Sequence, residues 1–315
     1  MAWFAKAPSN IALIKYMGKK DSTKNLPINP SLSYTLNNLL SQVSLETCPG
    51  KKDSWEPLNT PGAPHFSLSK SAQERFLNHL NYLKSLVDYS GAFMVRSNNN
   101  FPHSSGLASS ASSFAALTTC ATMALSELTN TPLPTLEVQA QLSREASGSS
   151  CRSFFGPWVL WEEETVKAID VPYAQLLHQV IIVSHAEKKV SSSEAHQRIT
   201  TSALYATRAQ RAEQNLKILL KALNTNDWAR AYQICWQEFQ DLHQLFASSK
   251  PSFSYITDQS RAALSKLEAL WEREGDGPLI TMDAGPNIHL LYRPDQADMA
   301  LKFKCDYLIG HYDVL

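Results

Sequence analysis

Residues 109–128 contain no proline or glycine and consist largely of alanine, serine, threonine and leucine. A run of that length and composition predicts a helix, and its small side chains predict close packing inside the molecule. It is entered from an apolar, β-branched run at 93–97 through the polar segment Asn98-Asn-Asn-Phe-Pro-His-Ser-Ser-Gly-Leu-Ala108. A strand, a polar glycine-containing loop and a buried helix in that order expose loop N–H groups beside the unpaired donors and partial positive charge of a helix start. Phosphate oxygens suit such a place, with the Ser109 or Ser110 hydroxyl free to cap the helix or to ligate magnesium. An ordinary capped helix is the plainer reading of the same residues. No Gly-Lys-Ser/Thr follows the loop, so it is not a Walker motif.

Around this feature the first half reads as β-rich, with strands expected at 11–16, 31–36, 42–46 and 93–97. One helix, 72–87, interrupts them, its Phe76, Leu77, Leu80, Leu83 and Leu86 falling on one face. A helix at 135–145 and buried strands at 158–161 and 180–184 follow, and the charged stretch 162–170 reads as a link between domains. The expected division is near residue 175, giving domains 1–175 and 176–315. Beyond it the spacing predicts helices at 193–223, 228–247 and 257–274, then strands at 279–282 and 288–292 about a turn.

Lysine plus arginine and aspartate plus glutamate both total 29, so no net positive field is available to hold nucleic acid or an anionic membrane. Any anionic ligand needs a local site. The five cysteines are scattered and never in CxxC spacing, which predicts reduced thiols in a cytoplasmic setting and no zinc cluster. No apolar run has the length of a signal or a membrane span. His103, His185 and His196 lack metal-ligand spacing and read as solvent-facing or hydrogen-bonding residues.

Three further segments place anion-seeking or acid–base groups among apolar neighbours. Lys15 ends the apolar run of Ala7-Pro-Ser-Asn-Ile-Ala-Leu-Ile-Lys-Tyr-Met-Gly-Lys-Lys-Asp21, where it either meets an anion or reaches solvent. Ser147-Gly-Ser-Ser-Cys-Arg-Ser153 combines small residues that admit a ligand with an arginine able to grip a carboxylate or phosphate bidentately, or is a plain serine-rich linker. Asp283, at the turn Met282-Asp-Ala-Gly-Pro-Asn287, either caps that turn or faces the phosphate loop as an acid–base group. Lys188 and Lys189 before Ser191-Ser-Ser193 form either a phosphate cradle or a solvated turn.

Taken together and in order, these segments resemble the diphosphomevalonate decarboxylases of the superfamily that contains galactokinase, homoserine kinase, mevalonate kinase and phosphomevalonate kinase (GHMP kinases). The opening pattern is matched by Ala7, Pro8, Asn10, Ile11, Ala12, Lys15, Tyr16, Gly18 and Lys19, and the region 25–36 looks like the family's next strand region. The phosphate loop is matched by Pro102, Gly106, Leu107, Ala108, Ser109, Ser110 and Ala111, the serine-arginine segment by 147–152, and the last turn by Asp283 through Asn287.

The resemblance implies an α+β, two-domain GHMP kinase fold: a ribosomal-S5-like N-terminal domain and a ferredoxin-like C-terminal domain, with the ligand in the cleft between them. It implies ATP-dependent decarboxylation of (R)-5-diphosphomevalonate to isopentenyl diphosphate, with ATP as co-substrate, Mg2+ as cofactor and a homodimeric assembly. Asp283, Lys15 and Arg152 would then be catalytic. Asn10, Tyr16, Met17, Gly18, Lys19, Ser147, Gly148, Ser149, Ser150, Cys151, Lys188, Ser192 and Ser193 would bind substrate. Pro102, Ser105, Gly106, Leu107, Ala108, Ser109 and Ser110 would bind ATP, the two last being candidate magnesium ligands.

The chain departs from the pattern at Met17, where tryptophan is usual, at His103-Ser104-Ser105 for threonine-alanine-alanine, at Ser150 for alanine and at His196 for methionine. The rival readings are a related kinase that stops at phosphorylation, and a catalytically silent member that only binds ligand.

Overall fold

The computed structural model describes residues 1–50, 52–59, 67–101, 109–186 and 188–315. Strand β1 (Ala2–Ile14) begins with alternating burial, Trp3, Ala5 and Ala7 inward and Phe4 and Lys6 outward. From Ser9 onward every residue is buried, because the strand passes from a sheet with one wet face into the middle of the molecule. The short pair β2 (Lys19–Asp21) and β3 (Leu26–Pro27) follows, and then β4 (Ser31–Cys48), antiparallel to β1. The strands expected at 31–36 and 42–46 are thus one strand. Its register against β1 slips between Leu36 and Leu40, a bulge that leaves Asn37 and Asn38 exposed.

The bulge lets β4 serve two partners on its other edge. Ser41 through Cys48 pair with β6 (Ala92–Asn99), reached after β5 (Ser54–Pro57) and α1 (Lys70–Ser85), and Ser31 through Tyr34 pair with β7 (Trp158–Glu162). Between them come α2 (Ser109–Thr129), α3 (Leu136–Ala146) capped by Thr135, and a 3-10 segment Gly148–Phe154. The stretch expected to be a charged link is a hairpin: Glu163 and Glu164 turn the chain and β8 (Thr165–Ile169) pairs back on β7. The result is a six-stranded sheet against which α2 packs with α1, its alanines 0% exposed against Val43, Leu45, Phe93 and Val95.

The second half has β9 (Leu177–Ile182), α4 (Ser192–Arg198), α5 (Arg208–Asn224), α6 (Trp228–Ser248), α7 (Asp258–Glu274), β10 (Leu279–Met282), β11 (Ile288–Tyr292), α8 (Ala297–Phe303) and β12 (Asp313–Val314). Its four strands form an antiparallel sheet in the order β10-β11-β9-β12. The long helix expected at 193–223 is broken at 199–207. There Thr200 and Thr201 bond back to the carbonyls of Gln197 and Arg198, and Ser202 accepts from Leu204 N, local bonds that compete with helix continuation. One hydrophobic core spans the two halves. Ile11, Leu13, Ile14, Leu32 and Trp158 share it with Leu216, Ile234, Phe239, Leu267, Ile280 and Leu290. Among the described residues no helix is long and apolar enough to cross a membrane, and all five cysteines are free.

Candidate active site

A cavity of about 590 Å3 opens where the end of β1, the start of α2, the 3-10 segment after α3, α4 and the turn after β10 meet. Lys15 enters it directly from β1. Its Nζ donates to Asp283 Oδ1 at 2.7 Å, across 268 positions of sequence. Lys15 is 2% exposed and the Asp283 side chain 26%, so the carboxylate keeps one edge toward the cavity. Burial alone would push the Asp283 carboxyl up, but Lys15 outweighs it and holds the group below its ordinary value, ionised at neutral pH.

The backbone of Lys15 is fixed as firmly as its side chain. Its N–H donates to Glu238 Oε1 (3.0 Å) on α6, and its carbonyl accepts from Arg208 (3.1 Å) on α5 and from Asn29 Nδ2 (3.0 Å). Arg208 and Glu238 form an ion pair with no solvent exposure, and Asn215 Nδ2 donates to the other Glu238 oxygen at 2.7 Å. Two helices of the second half therefore set where a strand of the first half delivers its lysine.

Arg152 approaches from the 3-10 segment. Its Nε donates to Asn10 Oδ1 (3.1 Å) and one terminal nitrogen to Ser31 Oγ (2.8 Å), and its guanidinium lies 5.7 Å from the Trp161 ring. Among the described residues it forms no salt bridge, so a buried cation lines the cavity with neutral hydrogen-bond partners and the more distant charge of Asp283 to balance it. Gly148 is required by its neighbour: a Cβ there would stand 2.7 Å from the Tyr16 hydroxyl. Tyr16 packs between Trp161 and His196, both at 4.6 Å between centroids, and donates its hydroxyl to Asn25 O.

Lys19, Arg75, Lys188, Ser192 and Ser193 line the rest of the cavity, Lys188 within reach of the Asp283 charge. Lys188 Nζ donates to Ser192 Oγ (2.9 Å) and Ala284 O (3.0 Å). Lys19 has no carboxylate partner among the described residues, and burial, then Arg75, draws its ammonium below the ordinary value. The described lining holds five cationic side chains, Lys15, Lys19, Arg75, Arg152 and Lys188, against the single carboxylate of Asp283. In a chain with no net charge, that concentration marks an anion site.

Ser109 and Ser110 line the cavity at the start of α2. The helix start is tied to the sheet by Ser41 Oγ, which donates to Asn99 Oδ1 (2.7 Å) and bonds the Ser112 hydroxyl (2.7 Å). Pro102, Ser105, Gly106, Leu107 and Ala108 lie outside the described residues. Of the other residues expected here, Met17, Ser147 and Ser149 also line the cavity.

Asn10, Gly18, Ser150 and Cys151 do not line it. Asn10 orients Arg152, Ser150 bonds Ser143 and Ser147 O, and the Cys151 thiol donates to Gly148 O. Gly18, at φ +101°, serves the turn: a Cβ would lie 2.5 Å from Ile28 Cδ1. Sequence reasoning missed Arg75, which lies on α1 among ordinary surface positions, donates to Ala146 O (3.2 Å) and lies over Phe114. Nothing in its neighbourhood of the sequence distinguishes it from a solvated helix arginine.

A six-stranded and a four-stranded antiparallel-rich sheet, each with helices, and a cation-lined cavity at the start of a buried helix define a class: α+β proteins of the GHMP kinase fold. Residues 7–170 match the model of the diphosphomevalonate decarboxylase-like N-terminal domain, and 179–313 that of the mevalonate 5-diphosphate decarboxylase C-terminal domain. The chain belongs to the diphosphomevalonate decarboxylase family.

A mevalonate diphosphate decarboxylase from Legionella pneumophila is 62% identical over 100% of both chains, with a TM-score of 0.95. The structure of MDDEF in complex with MVAPP, AMPPCP and magnesium is 28% identical, covering 100% of this chain and 96% of that one, with a TM-score of 0.86. The diphosphomevalonate decarboxylase of Saccharomyces cerevisiae is 32% identical over 321 residues, 94% of this chain and 79% of the relative.

Proposed function

We infer that the protein catalyses the ATP-dependent decarboxylation of (R)-5-diphosphomevalonate to isopentenyl diphosphate, ADP, phosphate and carbon dioxide. The observation that carries the reading, in a chain of this family, is the ionised Asp283 held by Lys15 in a cavity whose other charged side chains, among the described residues, are all cations.

A tertiary hydroxyl does not leave as hydroxide at neutral pH. The γ-phosphoryl group of ATP is transferred to that oxygen, whose proton passes to Asp283. The C–O bond then breaks with inorganic phosphate as the leaving group, and the electron pair of the bond to the carboxylate carbon forms the alkene as carbon dioxide departs. Lys15 keeps Asp283 ionised and in register, and Arg152, in no salt bridge among the described residues, grips the carboxylate of the substrate. Lys19, Arg75, Lys188, Ser192 and Ser193 hold the diphosphate end, while Ser109, Ser110 and the first N–H groups of α2 meet the ATP phosphates.

Among the described residues no cluster of three His, Cys, Asp or Glu could hold a metal. Magnesium would be held here by the Ser109 or Ser110 hydroxyl together with the nucleotide phosphates, and would supply neutralisation of developing phosphate charge. A homodimer in the cytoplasm and a domain division near residue 175 belong to the same reading, supported by the family resemblance.

The test is incubation of the purified chain with ATP, magnesium and (R)-5-diphosphomevalonate, following ADP, phosphate and carbon dioxide together. Equal yields of the three are expected. ADP without carbon dioxide would replace this reading with that of a kinase, and no substrate-dependent ADP would reject both.

A further inference from the structure

The reaction drawn above leaves one ring in the cavity without a task. His196, on α4, accepts the Gly18 backbone N–H at Nδ1, 3.0 Å away. A backbone N–H can only donate, so Nδ1 is bare and the proton of the neutral ring sits on Nε2. Burial, with Lys19 adding to it, pushes the imidazole pKa down to about 3, so the ring is neutral under ordinary conditions. Among the described residues the ring's hydrogen bond is the one at Nδ1, and the ring lines the cavity beside Lys19. The ring also packs on Tyr16, Tyr16 packs on Trp161, and Trp161 lies under Arg152, so one stack joins the two ends of the cavity.

We propose that His196 is a specificity-determining residue for the anionic end of the substrate: Nδ1 locks the turn that carries Lys19, and Nε2–H donates to a phosphate oxygen that Lys19 attracts. This rests on the reading in the preceding subsection. A neutral imidazole beside Lys19 adds a donor without adding like charge. The methionine usual in the family at this position would offer neither the acceptor for Gly18 nor the donor.

Three variants of the full chain separate the two ring nitrogens. In His196→Gln the side-chain amide stands where Nε2–H stood; in His196→Asn the side-chain oxygen can still accept from Gly18. For His196→Ala we expect KM for diphosphomevalonate to rise about tenfold, the loss of one hydrogen bond to a charged group. Both kcat and KM for ATP should stay within about twofold, a split that a loosened fold would not give. Affinity for inorganic pyrophosphate, measured by calorimetry, should fall by a similar factor. Gln should recover most of the KM, whereas Asn should recover the melting temperature and not the KM.

Unchanged KM and pyrophosphate affinity in His196→Ala would overturn the proposal. So would Asn restoring KM as well as Gln, because the ring would then only fix the turn. Should the alanine variant not fold, the Gln and Asn pair, which keep much of the bulk, decide the matter. If the unmodified chain releases no carbon dioxide, the functional reading fails, and pyrophosphate binding alone judges His196: retention in Gln with loss in Asn upholds its role, and equal binding in the two rejects it.

Discussion

The two ends of the cavity are built on opposite plans. At one, Lys15 is paired to Asp283, its backbone is held by Glu238 and Arg208, and Arg152 is fixed by Asn10 and Ser31. At the other, Lys19 has no carboxylate partner among the described residues and Arg75 rests on Phe114 and a carbonyl. The first end spends protein contacts on holding reacting groups in one geometry; the second leaves positive charge uncompensated until an anion arrives. Preorganisation and attraction are thus separated in space, and substitutions at the two ends should fail differently.

The largest contrast is expected at the carboxylate. Asp283→Ala should lower turnover by about 1,000-fold, within the range for loss of a positioned acid–base group, while ATP affinity measured by titration stays near that of the unmodified chain. Normal turnover in a folded Asp283→Ala protein would erase the distinction between the ends. Next comes the support behind Lys15. Glu238→Leu leaves the buried Arg208 with Asp241 as its one carboxylate among the described residues and should cost about 3 kcal/mol in urea unfolding.

A smaller effect, and of another kind, is expected at the attracting end. Lys19→Met should raise KM for diphosphomevalonate roughly 30-fold and weaken its salt dependence, with stability within about 0.5 kcal/mol, because no internal partner is lost. Lys15→Met, by contrast, should lose both turnover and stability; equal melting temperatures for the two variants would break the comparison. The smallest effect concerns His243, which burial and then Lys15 keep neutral, with a pKa lowered from 6.5 to about 3. Below pH 6.5 the unfolded chain takes up a proton that the folded chain refuses, so stability falls as pH drops from there toward 3. His243→Phe should remove up to about 1.4 kcal/mol per pH unit of that fall, read from urea midpoints at pH 7 and 5.

Segments whose signal is local were legible. The small-residue helix and the Asp283 turn appear where composition and spacing placed them, and the strand expected at 11–16 is the end of a longer one, Ala2–Ile14, that stops just before Lys15. What sequence could not supply was the company these segments keep. Neither the pairing of Lys15 with Asp283 nor the hold of Arg208 and Glu238 on the Lys15 backbone leaves a trace in spacing, because the partners meet only through tertiary packing. Arg75 was hidden for the same reason.

Boundaries failed where local chemistry was subtler than hydrophobic period. A bulge joined two expected strands into β4, Thr200 and Thr201 broke an expected helix, and a charged link proved to be β8 because Val166 is buried among mostly exposed neighbours.

The core that β1 and β4 share with α5, α6, α7 and the second sheet has a consequence for how the chain comes apart. Ile11, Leu13 and Ile14 belong to the first sheet by their backbone and to the second half by their side chains. Neither half can lose its order without stripping apolar surface from the other, so unfolding should proceed as a single cooperative event despite the two family modules. A chain severed in the connection between β8 and β9 would yield fragments that complement each other rather than two independent units, and only their union would restore the catalytic geometry.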